Sequence, residues 1–262
     1  MLKFISFHPK LAAALDAFFS LVLVWWLASL NAWWVLIVWF LFRLLLSALL
    51  FYLVYYPAPS SRWRHFLSSL VFDFGLLLFL IFVEWSVSWY LLAAIFITAP
   101  AFGFWLLPAE QTGLTFKFKP YRRWLLLMNA LGLAGIWSGL GAVISFQIFN
   151  LSPWFWLIGG AVITTAISGW WWWEYKVEYN NKFKLWLAVL FLLMLELVWV
   201  MMLWPLGYLA GGLILTWFWY NLWLLIRFHL SKEDIIWKKQ TWFLAVNSVL
   251  LVVFLALVVK WK

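Results

Sequence analysis

The sequence contains no cysteine and few charged residues. Cysteine is absent from all 262 positions, and Asp and Glu together number nine. The absence of cysteine excludes a disulfide framework, a thiolate metal site and a cysteine nucleophile. Only 10% of the residues are charged and 68% are hydrophobic, whereas a soluble domain needs a charged surface. The composition therefore excludes a soluble globular protein and indicates helices solvated by lipid.

Nine apolar segments are long enough to cross a hydrocarbon core, which takes about 20 helical residues. They are predicted at residues 11–30, 32–56, 66–84, 86–107, 124–147, 151–173, 185–203, 206–228 and 241–259. The sequence thus predicts an all-α, polytopic transmembrane helix bundle of about nine spans, arranged as successive helical hairpins. We expect residues 1–262 to form a single integral membrane domain in contact with the lipid bilayer.

The positions of the basic residues predict the orientation, because Lys and Arg in short loops stay on the cytoplasmic side. Fifteen of the eighteen lie in five segments, at residues 1–10, 57–65, 108–123, 174–184 and 227–240, and the alternate turns hold none. We therefore expect a multi-pass protein of the cell membrane with a cytoplasmic amino terminus and its carboxy terminus outside. Since these cations set topology and lie near anionic headgroups, the net charge of +9 does not indicate nucleic-acid binding.

Tryptophan is abundant, with 26 residues that include the run Trp170 to Trp173. An indole at the membrane interface buries its ring and keeps its N–H near water, so such a run is typical of the end of a span. Interfacial anchoring is our first interpretation. An aromatic-lined groove for a lipid or a hydrophobic pigment is the alternative.

An internal repeat is indicated by three short segments with the same pattern. The pattern is aromatic, Leu, any residue, two small residues, three apolar residues and Thr, and its copies begin at Tyr90, Trp156 and Tyr208. We predict hairpin repeats at residues 62–108, 122–174 and 182–228, although an alphabet rich in Leu, Ala and Gly also produces such matches by chance. The paired small residues favour close helix packing in lipid over a ligand-binding role. They are Ala93, Ala94, Gly159, Gly160, Gly211 and Gly212.

Four ionisable residues lie inside predicted spans: Asp16, Arg43, Asp73 and Glu196. A charge at such depth costs at least ~3 kcal/mol on insertion scales, so each is a candidate functional residue. Arg43 stays charged at ordinary pH, and Asp73 lies at nearly the same depth on the next span, so we predict that the two pair. Asp16 lies nearer the cytoplasmic side and is either interface-solvated or buried, which makes it the next candidate. The pair is either a static structural ion pair or part of a solute or proton path.

Glu196 differs from the other three because no cation is expected near it. Residues at helical spacing around it are apolar: Leu192, Leu193, Trp199 and Val200. A buried carboxylate without a cation is costly. We therefore expect Glu196 to be protonated at neutral pH or to open onto water.

The remaining chemistry is mostly excluded. The histidines, His8, His65 and His229, fall at span edges and no Lys lies inside a span, which leaves no intramembrane zinc or haem ligand of the usual type and no retinal Schiff base. No Walker loop, dinucleotide fingerprint or HExxH motif is present. We predict no catalytic residue, no metal and no cofactor.

Two classes of function stay open. Midplane charges and parallel hairpin repeats favour a small ion- or proton-coupled carrier. Minimal outer turns and the lack of a recognisable site favour a noncatalytic membrane subunit or scaffold of a larger assembly, with a membrane-protein partner or a homo-oligomer. A membrane-embedded lipid-modifying enzyme is a third and less favoured class.

Overall fold

A computed structural model describes residues 8–29, 33–54, 59–107, 119–149, 151–204, 206–231 and 237–258. Within these ranges the chain forms nine helices and no strand. The helices are α1 (Pro9–Ala28), α2 (Trp33–Val54), α3 (Pro59–Phe82), α4 (Ser86–Trp105), α5 (Lys119–Ser145), α6 (Pro153–Glu174), α7 (Asn181–Leu203), α8 (Tyr208–His229) and α9 (Trp237–Val258). The all-α class predicted from the sequence is confirmed.

Seven of these described helices are long and apolar enough to cross a membrane, namely α1 to α5, α7 and α8. In α9 only the shorter stretch Gln240–Ala256 is comparably apolar. In α6 the Gly, Ser, Thr and Trp residues dilute the apolar run. The fold is therefore that of a multi-pass membrane protein with seven helices suited to spanning. The count of nine spans and their arrangement as hairpins stay predictions.

Local signals explain where several helices begin. Helix α1 starts with Pro9, whose fixed φ suits the first helical position, and the His8 side chain accepts a hydrogen bond from the Lys10 N–H at 3.2 Å. The Asn180 side chain caps α7 in the same way, accepting from the Phe183 N–H at 2.9 Å. Helices α3 and α5 begin several residues before the predicted apolar spans. The reason is that a helix also includes polar residues, which an apolar span does not.

The chain divides into two compact units, residues 1–132 and residues 133–262, with the boundary inside α5. In the amino-terminal unit α1 packs against α2 and α4, and α3 also packs against both of these helices. In the carboxy-terminal unit α7 packs against α6 and α8, and α8 packs against α9. The single membrane domain predicted from the sequence stays a prediction.

Two glycines allow α3 and α5 to touch through their backbones in the amino-terminal unit. A Cβ added at Gly75 would overlap the backbone of Gly132, and one added at Gly132 would overlap the backbone at Val71 and Phe72. No flexible side chain could move to make room. Only glycine fits both positions, in agreement with the use of small residues where helices cross in lipid.

The second small residue of the repeat pattern packs closely in α6 and α8. A Cβ at Gly160 would lie 2.6 Å from the Trp137 ring, and one at Gly212 would overlap Ser138. Both neighbours belong to α5. The first small residue of these two copies, Gly159 or Gly211, has no atom within 4 Å of an added Cβ, so it does not mediate close packing there.

The copy in α4 is oriented differently. Ala93 is buried and Ala94 is exposed, the reverse of the small pairs in the other two copies. The final threonines of the three copies nevertheless behave alike, because each hydroxyl donates to the carbonyl four residues earlier at 2.8 to 2.9 Å; they are Thr98, Thr164 and Thr216. Such a bond forms in any helix, so the repeat stays a prediction.

The run Trp170 to Trp173 is only partly a surface feature. Trp171 and Trp172 are fully buried, whereas Trp173 is 56% exposed. The Trp172 indole N–H donates to the Trp223 carbonyl at 3.1 Å. Interfacial anchoring is therefore the wrong explanation for Trp171 and Trp172, because consecutive helical residues point in directions about 100° apart and part of any run of four faces inward.

Candidate functional site: the Arg43 triad

Three charged side chains meet in the interior of the amino-terminal unit: Asp16 of α1, Arg43 of α2 and Asp73 of α3. We call them the Arg43 triad. Arg43 Nη1 lies 2.7 Å from Asp16 Oδ1, and Arg43 Nε lies 3.2 Å from Asp73 Oδ2. All three residues are 0% exposed. The guanidinium therefore bridges two carboxylates that come from different helices.

Two serines complete the polar surroundings of the triad. Arg43 Nη1 donates to Ser20 Oγ at 3.0 Å, and Ser47 Oγ donates weakly to Asp73 Oδ2 at 3.4 Å. The second oxygen of Asp73, Oδ1, is buried and has no hydrogen-bond partner among the described residues. Buried polar atoms are usually hydrogen-bonded. In the triad, Asp73 Oδ1 and Arg43 Nε are not, although Arg43 Nε keeps its ion-pair contact with Asp73 Oδ2.

The predicted contact between Arg43 and Asp73 is present. Asp16, the next candidate from the sequence, makes a second contact with Arg43. The interface-solvated alternative for Asp16 is wrong, because the side chain is fully buried. Depth along a helix does not reveal whether a neighbouring helix covers the position. A signal was available, since each helix carries a charged residue and a serine four positions apart: Asp16 and Ser20, Arg43 and Ser47, Ser69 and Asp73.

The triad contains one carboxylate more than it has cations. One guanidinium and two ionised carboxylates sum to a charge of −1, and burial of an unpaired charge costs several kcal/mol in real proteins. Asp16 makes the shorter contact and two hydrogen bonds with Arg43, at 2.7 and 3.5 Å. A proton on Asp73 would therefore bring the net charge of the triad to zero and leave the shorter Arg43–Asp16 contact in place.

A stripe of polar side chains on α3 continues from the triad. His65, Ser68, Ser69 and Asp73 are three or four residues apart, so they share one helix face, and all four are buried. From His65 to Asp73 the helix rises about 12 Å at 1.5 Å per residue. We call these four residues the α3 polar face.

Helix α5 supplies further polar groups to the α3 polar face. The Tyr121 hydroxyl lies 3.1 Å from His65 Nδ1, and the Asn129 amide donates to Ser68 Oγ. Tyr121 and Asn129 are buried. Sequence reasoning missed both residues, because Tyr121 lies outside the predicted span and Asn129 is uncharged.

Aromatic side chains also pack against the triad. The Arg43 guanidinium lies 5.2 Å from the centre of the Phe96 ring, which stacks on Phe72 and contacts Trp39. The Trp39 indole N–H donates to the Leu23 carbonyl at 2.8 Å. Trp39 is one turn before Arg43 in α2, whereas Phe51, which contacts His65, is two turns after it. Aromatic rings therefore lie both before and after the level of Arg43 along α2.

Glu196 does not join the triad and is not buried. Its side chain lies on an exposed face of α7 together with Leu192, Trp199 and Val200. The premise that Glu196 is buried was wrong, because apolar neighbours at helical spacing describe a lipid-facing surface as well as an interior one. The prediction that Glu196 is protonated loses that support and stays untested.

The described residues hold no group of three or more His, Asp or Glu that could bind a metal ion. His8 caps α1 and His65 contacts Tyr121. The ring of His229 packs against Trp186 at 5.2 Å between centroids. Each of these histidines therefore has a structural contact of its own.

In comparisons with known proteins, no family model, curated protein or solved structure matches the chain.

Proposed function

We propose that this protein is a small proton-coupled membrane carrier in which Asp73 binds the coupling proton. The observation that carries the proposal is the unpartnered, buried Oδ1 of Asp73 in a cluster with one carboxylate in excess. Ionisable groups inside membrane-spanning helices are typical of proton relays and coupling sites. The seven helices suited to spanning provide the membrane setting.

The surroundings of Asp73 support movement of a proton toward one end of the unit. The α3 polar face offers hydroxyls and an imidazole at intervals of one turn, and each of these groups both donates and accepts protons. A proton held by Asp73 therefore has a polar route along α3 toward His65.

A noncatalytic membrane subunit or scaffold is the second candidate. One observation favours it: the three members of the Arg43 triad are 0% exposed. A fully enclosed ion cluster can serve only to fix the register of α1, α2 and α3. The two candidates differ in whether Asp73 exchanges its proton with water.

Proton flux in proteoliposomes tests the carrier proposal. Vesicles loaded with a pH-sensitive dye are placed under a potassium diffusion potential set by valinomycin. Sodium, chloride, amino acids and sugars are present on both sides. Flux through the wild-type protein should exceed that of protein-free vesicles. Asp73→Asn should abolish the excess, because a carboxamide does not ionise and cannot bind and release a coupling proton.

Glu196→Gln is the matched control, because it removes an intramembrane carboxyl outside the triad and should retain the flux. Size-exclusion elution and helical circular dichroism verify that each variant is folded. Wild-type flux equal to that of empty vesicles, or full flux in folded Asp73→Asn, overturns the carrier proposal and favours the scaffold.

A further inference from the structure

The carboxy-terminal unit contains a long groove between α6 and α7 that no part of the proposed proton site uses. Its volume is about 930 Å³. Val162 and Trp173 mark its ends on α6, and they are separated by about 16 Å of helix rise. Helix α7 is one of the helices long and apolar enough to span a membrane, so the groove is placed where lipid chains can reach it. The question is whether it selects one lipid.

The lining of the groove combines small residues with aromatic rings. Ala166, Gly169 and Ala188 lie in the lining, as do the larger rings of Trp170, Trp173, Tyr179, Phe183 and Phe191. A Cβ at Gly169 would already lie 3.0 Å from Leu187. Aromatic rings beside small side chains leave a narrow groove that fits a flexible apolar chain such as an acyl chain.

The groove has an uncharged part and a cationic end. On α6, the Thr165 hydroxyl of the lining already donates to the Ala161 carbonyl at 2.8 Å. At the end next to the loop between α6 and α7, the Lys184 ammonium lies 5.2 Å from the centre of the Tyr179 ring. Lys184 forms no ion pair with a described residue.

The loop end of the groove is also the more basic end. Residues 174–184 carry three lysines against two glutamates, and a lysine near the membrane surface attracts anionic headgroups. Trp173 and Tyr179, which are exposed there, belong to the residue types that favour the headgroup region. An apolar channel with one cationic end matches a ligand with a long apolar part and one anionic end.

We infer that the α6–α7 groove is a binding site for one anionic phospholipid, with an acyl chain along the groove and the phosphate at Lys184. A transmembrane helix of a second copy is the competing occupant. The charge of Lys184 favours the lipid, because its ammonium has no carboxylate partner among the described residues and a phosphate would supply an anion there. This inference is independent of the proton site, which lies in the amino-terminal unit.

Native mass spectrometry of the full chain in detergent tests the inference. Phosphatidylglycerol and phosphatidylcholine are added separately, and the occupancy of a first bound lipid is measured against concentration. The wild-type protein should bind one phosphatidylglycerol more tightly than phosphatidylcholine. Lys184→Gln should reduce this preference by about fivefold, the effect of one lysine at the membrane surface.

The double variant Ala166→Phe/Ala188→Phe fills the groove from exposed positions. It should lower the affinity for phosphatidylglycerol by about tenfold or more, because the acyl chain of the lipid loses its buried contact area. Ala245→Phe, at an exposed alanine of α9 in the same unit, is the matched control and should bind as wild type does. Equal affinity for the two lipids, or unchanged binding in the filled groove, overturns the inference. A change from dimer to monomer in the filled variant, with lipid binding unchanged, would assign the groove to a second copy instead.

Discussion

At the scale of single residues, Arg43 is held by two carboxylates, which changes the expected cost of removing each partner. A single ion pair would lose about as much from either side. In the triad, loss of Arg43 leaves both Asp16 and Asp73 without a cation, whereas loss of the Asp73 charge leaves the Arg43–Asp16 contact at 2.7 Å intact. The three side chains are therefore energetically unequal.

Arg43→Gln should lower the free energy of unfolding by ~3 to 5 kcal/mol, the usual cost of breaking a buried pair. Asp73→Asn should cost much less, because the remaining pair is neutral. Adding Asp73→Asn to Arg43→Gln should recover part of the loss, since one of the two stranded carboxylates is removed. Unfolding by titration with dodecyl sulfate in mixed micelles measures all three values.

Strictly additive losses would show that Arg43 and Asp73 do not interact. A loss in Asp73→Asn as large as that in Arg43→Gln would indicate an ionised Asp73 that depends on its charge, contrary to a proton resting there. Asp16→Asn is the third single variant of the triad. It removes the charge of Asp16 and should leave Arg43 paired with an ionised Asp73.

The charged residues also show what the sequence predicts and what it omits. Depth along the helix correctly placed Arg43 and Asp73 at matching levels. It did not distinguish the buried Asp16 from the exposed Glu196, because depth along a helix does not show which face packs inward. The face of a membrane helix that packs inward is set by neighbouring helices, and an all-round apolar helix carries a weak signal of that direction.

At the scale of helices, close approach depends on two kinds of glycine that look alike in the sequence. Gly75 and Gly132 sit where α3 and α5 touch, whereas Gly159 and Gly211 have open space around an added Cβ. The sequence pattern of two adjacent small residues selects the second kind of glycine and misses the first. Isolated glycines on two different helices become meaningful only when the crossing point is known.

Gly132→Ala should therefore destabilise the protein by about 1 to 3 kcal/mol, since the added methyl group forces two backbones apart. Gly159→Ala is the matched control. It adds the same group within a helix where nothing lies within 4 Å, and should be neutral or stabilising by up to about 1 kcal/mol through helix propensity. The same titration with dodecyl sulfate measures both variants.

Equal effects of the two substitutions would contradict the close crossing of α3 and α5. Gly75→Ala provides a second measurement from the other side of the contact and should resemble Gly132→Ala. Because both glycines lie in the amino-terminal unit, a shared loss would report on that crossing directly.

The helices themselves were predictable because an apolar run of about 20 residues has few alternatives in lipid. Each predicted span overlaps one described helix, and the largest differences are at the starts of α3 and α5. There the apolar pattern begins after the helix does, since Pro59 and Lys119 start helices that carry polar first turns. Hydropathy locates the span, whereas capping and loop length set the helix end.

At the scale of the whole molecule, charge is distributed between two roles. Fifteen basic residues lie near predicted span ends, where they serve topology and lipid contact, and one, Arg43, lies inside. The Arg43 triad belongs to the amino-terminal unit and the α6–α7 groove belongs to the carboxy-terminal unit. Variants of one should therefore leave the other unchanged, which separates the two proposals in experiment.

The orientation of the chain is the remaining prediction, and it rests on the bias of Lys and Arg between alternate loops. A reporter inserted within residues 110–115, outside the described residues, should lie in the cytoplasm, and one fused after residue 262 should lie outside. Alkaline phosphatase and green fluorescent protein fusions at the two sites measure this, because each is active on one side only. The same compartment for both would remove the nine-span topology and favour an even number of crossings between the two sites, as would follow if α6 or α9 does not span.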